Sequence, residues 1–320
     1  MIYILLFFLS FLLTYFIKNY AIKHSLVATV SERSSHTAPT PHGGGIAVAI
    51  AWFVGLIYFY AADRIDSQLF YALMCGVLIA VVGFVDDIVE LQPKSRMTVF
   101  TLVSMMGLFI LGGLDSLSFG LFEVINSFVT TVFALLLMLW YINLTNFIDG
   151  IDGYLAAEFL FLSMAGVLLF GGAHFAVLGA SVLGFLFWNR HRAKIFMGDV
   201  GSTLLGYTIA IITLYYANQE PTNLWIWITL FGLFWFDATL TLLRRKLNGE
   251  KLSLAHRKHA YQRLTQAGWS HSKVTLYALG LNVVLFLLVY FMPNVAVSFA
   301  LSLVLLYGAM KFVDSKKRFE

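Results

Sequence analysis

An all-α integral membrane protein of about eleven transmembrane helices, ten at the fewest, is the fold class this chain predicts, and three observations carry it. The composition is 60% hydrophobic and only 12% charged, with a mean hydropathy of +0.82. A soluble domain carries about a quarter charged residues, so the bilayer must serve as part of the solvent. Apolar segments of spanning length recur along all 320 residues. Threaded back and forth through a membrane, they leave every Lys and Arg but one on the same side.

The first segment, near 2–18, has no basic leader and no small-residue cleavage site, so it reads as a retained span with the N-terminus outside. The others lie near 45–62, 68–85, 97–113, 127–143, 153–171, 173–188, 201–218, 223–243, 274–291 and 295–312. Each approaches the roughly 20 residues a spanning helix needs. Only Gly171-Gly172 separates the sixth from the seventh, which is where a count of ten would come from. With an odd count the C-terminus is cytoplasmic, and of the 21 Lys and Arg only Arg64 falls outside. The outer loops carry Asp63, Asp66, Asp115, Glu123 and Glu220. The long segments 19–44, 86–96, 189–200 and 244–273 are all cytoplasmic, and long loops are where function gathers. Residues 1–320 therefore read as one polytopic membrane domain, with an active-site cleft at the cytoplasmic face. The net charge of +4 belongs to this topology and not to nucleic-acid binding, since no basic and aromatic stripe is present. The single cysteine, Cys75, allows no disulfide and reads as a small buried apolar residue.

Five constellations carry chemistry. Asp86-Asp87 closes the third span, where a negative charge opposes the helix dipole and a purely structural acid is poorly placed. Adjacent carboxylates there suit a divalent cation or a base beside phosphates. In NLTNFIDGIDGYLA, Asn143, Asn146, Asp149 and Asp152 are spaced by three, one face of a helix if the helix continues. Amides and carboxylates together can read a nucleobase and sugar hydroxyls. FMGDVGS places Asp199 at a helix N-terminus, suited to a cation bridging to phosphate oxygens or to a plain N-cap. The loop HRKHAYQRL offers His256, Arg257, Lys258, His259 and Arg263 as a grip for a diphosphate. SHTAPTPHGGG, with Arg33 just before it, adds Arg33 and His42 as phosphate or nucleotide contacts. Asp237, within an apolar span, has Arg244 and Arg245 two turns on as available partners. Glu158 is a similar intramembrane acid, and His174 reads as structural.

Metal-binding carboxylates, nucleoside-reading amides and phosphate-binding cations on one leaflet suggest phosphoryl transfer between a soluble nucleotide donor and a lipid acceptor. NLTNFIDGIDGYLA, FMGDVGS and Asp86-Asp87 resemble the signatures of the polyprenyl-phosphate N-acetylhexosamine-1-phosphate transferases. This is glycosyl transferase family 4, which includes phospho-N-acetylmuramoyl-pentapeptide transferase. The resemblance runs from about Arg33 to Arg263. It implies attack by undecaprenyl phosphate on the β-phosphate of a UDP-N-acetylsugar, giving undecaprenyl-diphosphate-sugar and UMP. It implies Mg²⁺ as cofactor, with Mn²⁺ as a substitute, and Asp199 and Asp86 as metal ligands. Asp86, Asp87, Asp149 and His259 would be catalytic. Asn143, Asn146, Asp152, Arg33, His42, His256 and Arg257 would bind substrate. The partners would be the UDP-sugar, the lipid phosphate and the bilayer, with the oligomeric state open and a homodimer among the options.

The run His259-Ala260-Tyr261-Gln262 is similar to the subgroup that initiates O-antigen synthesis. That leaves GlcNAc, GalNAc, FucNAc and QuiNAc open as the donor sugar, and points to lipopolysaccharide or other cell-wall biogenesis. Two rivals come from other classes. A secondary transporter would place its polar groups near the midplane and usually shows an internal repeat. A non-catalytic subunit of a glycan assembly complex would be inactive alone. Asp149-Gly150 followed by Ile151-Asp152-Gly153 does not fit the CDP-alcohol phosphotransferases.

Overall fold

Capping side chains and glycine breaks divide the apolar chain into helices. The computed structural model describes residues 1–23, 40–118, 123–252, 254, 256–292 and 294–319, and the backbone alone of 27–28. The first helix, α1 (Ile2–Lys23), is apolar nearly from end to end. A two-residue antiparallel pairing, Val27–Ala28 with Thr40–Pro41, precedes α2 (Gly45–Ala61). Asp66 accepts from the N–H groups of Gln68 and Leu69 and starts α3 (Ser67–Met74), which runs through Cys75 into α4 (Gly76–Val89). Pro93 opens α5 (Pro93–Ile110), at a position where a missing N–H is not needed. The pairing of Leu117–Ser118 with Glu123–Val124 leads to Asn126, which caps α6 (Ser127–Ile148). Then come α7 (Tyr154–Phe170), α8 (Ala173–Asn189), α9 (Asp199–Gln219), α10 (Asn223–Leu230), α11 (Gly232–Leu247) and α12 (Ala260–Gln266). The last two helices, α13 (His271–Phe291) and α14 (Val295–Lys316), are capped by Ser270 and Asn294.

The hub is α9, with 94% of its membrane-length window buried. A helix apolar all round belongs inside a bundle, and α2, α4, α6 and α10 surround it. Small residues let two of these backbones close in. Gly45 of α2 meets the backbone of Gly201, and Gly83 of α4 meets that of Asp199 and Val200. A methyl group on Gly83 would fall 2.6 Å from the Asp199 carbonyl oxygen. Gly83→Ala is therefore expected to push α4 off α9 at a cost of about 1–3 kcal/mol. Melting temperature in detergent would fall by several degrees and activity with it; wild-type values for both would contradict this packing.

Every apolar segment read from the sequence is helical, but the span count differs from eleven. Among the described residues six helices are long and apolar enough to cross a membrane, or seven if α10 and α11 form one span bent by 72°. The shortfall is one of length and charge. Helices α2, α7 and α8 have 17 residues each, about 26 Å at 1.5 Å per residue against a hydrocarbon core of about 30 Å. Helix α5 begins with Lys94 and Arg96 inside its 18 residues.

Candidate active site

Four helix ends meet at one pole of the bundle: the last turns of α4 and α6 and the first turns of α5 and α9. Asp87 stands in for a local cap of α9. Its Oδ1 accepts from the Asp199 N–H at 2.9 Å and its Oδ2 from the Val200 N–H at 3.4 Å. The residue ahead of the helix, Gly198, has no side chain and leaves room for this carboxylate. The positive end of α9 thus holds an acid on the neighbouring α4. Asp199 is then the first helical residue and not the cap itself. Its side chain is free to face the cluster.

Asp86 accepts from the Leu91 N–H at 2.6 Å and from Arg96 Nη1. The same Arg96 nitrogen reaches Asp199 Oδ2 at 3.0 Å, and the Asp86 and Asp199 carboxylates lie within hydrogen-bonding reach of each other. From α6, Asn146 Nδ2 donates to Ser202 Oγ at 3.2 Å, and Ser202 Oγ donates to the Gly198 carbonyl at 3.1 Å. Asp149 ends α6. Burial first, then the facing charges of Asp199 and Asp87, push its carboxyl up to about 7. His42 stands at the edge, its Nδ1 3.9 Å from Asp87 Oδ1.

Asp86, Asp87, Asp149 and Asp199 thus converge with one guanidinium, Arg96, among them. An excess of carboxylate oxygens of this kind suits a hard divalent cation such as Mg²⁺. Asp87 spends both oxygens on backbone N–H groups. Asp86 accepts from the Leu91 N–H and from Arg96, and Asp199 from the same Arg96 nitrogen, so these two carboxylates face each other across one side chain. The residues present therefore fit the metal that the resemblance implies.

A second arm comes from the loop after α11. Asp237, buried in α11, accepts from the Ala260 N–H with both oxygens at 2.9 Å and from Thr241 Oγ1 at 3.0 Å. It also faces His259 Nδ1 at 3.5 Å. It therefore caps α12 and orients the histidine. The Tyr261 hydroxyl donates to the Phe147 carbonyl at 3.1 Å, and its ring packs on Gly150, docking α12 against the end of α6.

Several expectations are corrected. Asp237 pairs with His259 and Ala260, not with Arg244 or Arg245. Arg244 binds Asp314 in two places, at 2.9 and 3.0 Å, and Arg263 joins it at 2.7 Å. Arg245 and Lys258 both bind Glu250, at 3.0 and 2.9 Å. Of the loop's cations, Lys258 and Arg263 are thus held by Glu250 and Asp314. His256 adds no charge at neutral pH: burial first, then His259 and Arg245, push it down to about 4. Its Nδ1 accepts from the Lys258 N–H at 3.2 Å. Arg257 accepts from Gln266 through its carbonyl at 2.6 Å.

The four polar residues spaced by three do not share one face, because α6 stops at Ile148. Asn143 donates to its own helix at Leu139 O and to Met97 Sδ, on the α5 side. Asp152 turns to His191 at 2.8 Å and to His271 at 3.1 Å. Arg33 lies outside the described residues. Glu158 is held by Asn282, and His174 lies 3.3 Å from the Tyr216 hydroxyl, both as structural groups. Arg96, Ser202, His191 and His271 were not expected. Arg96 was counted only as topological charge, although it lies ten residues after Asp86 and at the start of a helix.

The low value at His256 has a consequence for stability. Between about pH 6.5 and about pH 4 the unfolded chain protonates this histidine and the folded chain does not. Its contribution is thus present above pH 6.5 and lost as pH falls. His256→Asn is expected to flatten the decline of melting temperature across that window; an unchanged slope would contradict the burial described.

The glycosyl transferase family 4 model matches residues 69–217, which contain all four carboxylates of the cluster. The chain is 32% identical to the "Probable undecaprenyl-phosphate N-acetylglucosaminyl 1-phosphate transferase" of Bacillus subtilis, over 84% of this chain and 78% of that protein. It is 31% identical to the "Undecaprenyl-phosphate alpha-N-acetylglucosaminyl 1-phosphate transferase" of Yersinia pestis, over 84% and 77%. It is 29% identical to the "Phospho-N-acetylmuramoyl-pentapeptide-transferase" of Symbiobacterium thermophilum, over 77% and 80%. With a carboxylate cluster in the matched segment and relatives aligned over most of both chains, the chain belongs to glycosyl transferase family 4, the polyprenyl-phosphate sugar-1-phosphate transferases.

Proposed function

We propose that this protein transfers an N-acetylhexosamine 1-phosphate from a UDP-sugar to undecaprenyl phosphate, releasing UMP. An oxygen of the lipid phosphate bonds to the donor's β-phosphorus, and the bond from that phosphorus to the bridging oxygen breaks. The single observation that carries the reading is the convergence of Asp86, Asp87, Asp149 and Asp199 at one pole of the bundle. A phosphate monoester is mostly dianionic at pH 7, its second pKa being about 6, so the acceptor needs little help from a base. The work left for the protein is positioning and charge neutralisation.

Mg²⁺, or Mn²⁺ in its place, would be held by Asp199 and Asp86 and would neutralise the diphosphate as it is attacked. Asp87 holds the N-terminus of α9 in register. Asn146 and Asp149 line the approach, and Arg96 keeps Asp86 and Asp199 together. His259 serves as a donor to the diphosphate. The pole carrying these groups faces the cytoplasm of the inner membrane, with the N-terminus outside. What supports this orientation is the gathering of Lys and Arg in the loops at that pole. A transporter fits less well, because the acids gather at the helix ends and not near the midplane.

Tyr261 and Gln262 weaken the inference from His-x-Tyr-Gln to a donor. The Tyr261 hydroxyl is spent on Phe147, and Gln262 Oε1 accepts from the His259 N–H at 3.3 Å. Both thereby hold α12. UDP-GlcNAc is the first donor to try, with GalNAc, FucNAc and QuiNAc beside it, and the product would initiate a cell-surface glycan of the O-antigen kind. Purified protein with undecaprenyl phosphate and Mg²⁺ is expected to release UMP with one of these donors, and to stop when lipid is omitted or EDTA added. Folded protein that releases none with any donor would refute the reading.

A further inference from the structure

A second group of metal-binding side chains lies on the other side of the α6–α7 turn. Asp152 in that turn, His191 just after α8 and His271 at the start of α13 converge, their ligand atoms all within 4.8 Å of one another. His191 Nδ1 is 2.8 Å and His271 Nδ1 3.1 Å from Asp152 Oδ2. The two rings meet edge to face with centroids 5.3 Å apart. The Asp152 and His271 side chains are 4% and 12% exposed, and that of His191 is 34% exposed. A groove of about 350 Å³ opens beside them, lined by Asp152, Arg190 and His191 and by apolar residues such as Leu186, Phe187 and Leu276.

We propose that Asp152, His191 and His271 form a binding site for a divalent transition cation of the zinc class. Two imidazoles and one carboxylate are the donors that borderline ions select, whereas Mg²⁺ prefers oxygen alone. The two clusters of this chain therefore sort metals by donor type: carboxylates at the pole of α9, nitrogens here. Three protein ligands leave a fourth position, and the groove supplies access to it. Zinc binds nitrogen and oxygen at about 2.0–2.1 Å, which sets neighbouring ligand atoms about 3.3 Å apart in a tetrahedron. The two Asp152 pairs are within a few tenths of an ångström of that spacing. His191, the most exposed of the three, can swing to complete it. The Asp152 N–H donates to His271 Nδ1 over a long 3.3 Å, a bond that nitrogen gives up when it turns to the ion. Bound there, the ion ties together three separate segments and pins the turn that begins at Asp149.

The test is binding, read apart from transfer. The full chain in detergent, stripped of metal and kept in excess Mg²⁺, is titrated with Co²⁺. One equivalent is expected to bind with the visible absorption of a low-symmetry nitrogen and oxygen site, to be displaced by Zn²⁺, and Zn²⁺ to raise the melting temperature by a few degrees. His271→Ala is expected to weaken Co²⁺ binding by at least about tenfold. His191→Asn keeps a hydrogen bond to Asp152 and so guards against simple misfolding, and it is expected to weaken binding as much. No Co²⁺ uptake in the presence of Mg²⁺ would overturn the proposal. So would wild-type affinity in both variants, which would put the ion on the carboxylates of α4 and α9.

Discussion

Asp199→Asn is expected to lower kcat for sugar-phosphate transfer by about a thousandfold or more, while the protein stays folded in the membrane. A cation at developing phosphate charge contributes several kcal/mol, and each 1.36 kcal/mol is about tenfold in rate. The substitution isolates that effect. Asparagine keeps the size of the side chain and an oxygen for Arg96, which now bridges Asp86 and Asp199. The cap on α9 uses the backbone N–H of residue 199, which the substitution leaves in place. Rate and melting temperature should therefore separate. A variant retaining more than about a tenth of the rate would remove Asp199 from the metal site.

The second large effect is expected at Asp237, through His259. Asp237 touches His259 Nδ1 at 3.5 Å and the Ala260 N–H at 2.9 Å. We therefore treat it as a positioning residue for the histidine. Positioned proton donors contribute about 10²–10⁴ in rate. His259→Ala is expected to lower kcat by about a hundredfold on that scale. Asp237→Asn should lose nearly as much, because an amide still accepts the Ala260 N–H but no longer presents a carboxylate to His259 Nδ1. The double variant should be no worse than His259→Ala alone, as groups acting as a unit are non-additive. Losses that multiply would show that Asp237 acts only as a cap of α12.

Much of the fold and part of the site were legible in the sequence, for reasons visible in particular residues. Hydropathy located each helical segment because burial in lipid leaves an unbroken apolar run. It could not count crossings, because α7 and α8 are apolar but short and α10 and α11 are one run bent by 72°. Asp86, Asp87, Asp149 and Asp199 were readable because an acid beside an apolar span is costly unless it has work to do. The cations were misread for the opposite reason. Lys258 and Arg263 look like part of a phosphate grip until Glu250 and Asp314 are seen beside them, and Asp314 lies 51 positions from Arg263. Asp152 was placed by a three-residue period that assumes a continuing helix. Its partner His271 lies 119 positions away, a separation that only the folded chain closes.

The central claim is that the β-phosphate travels with the sugar. It is tested most directly with a UDP-N-acetylsugar labelled in that phosphate, undecaprenyl phosphate and the purified protein in vesicles. The expected result is label in the lipid fraction, with unlabelled UMP released in equal amount. Label left in free UDP would mean that the sugar alone is transferred. Intact labelled donor carried across the vesicle membrane would mean transport. Either outcome would contradict the assignment.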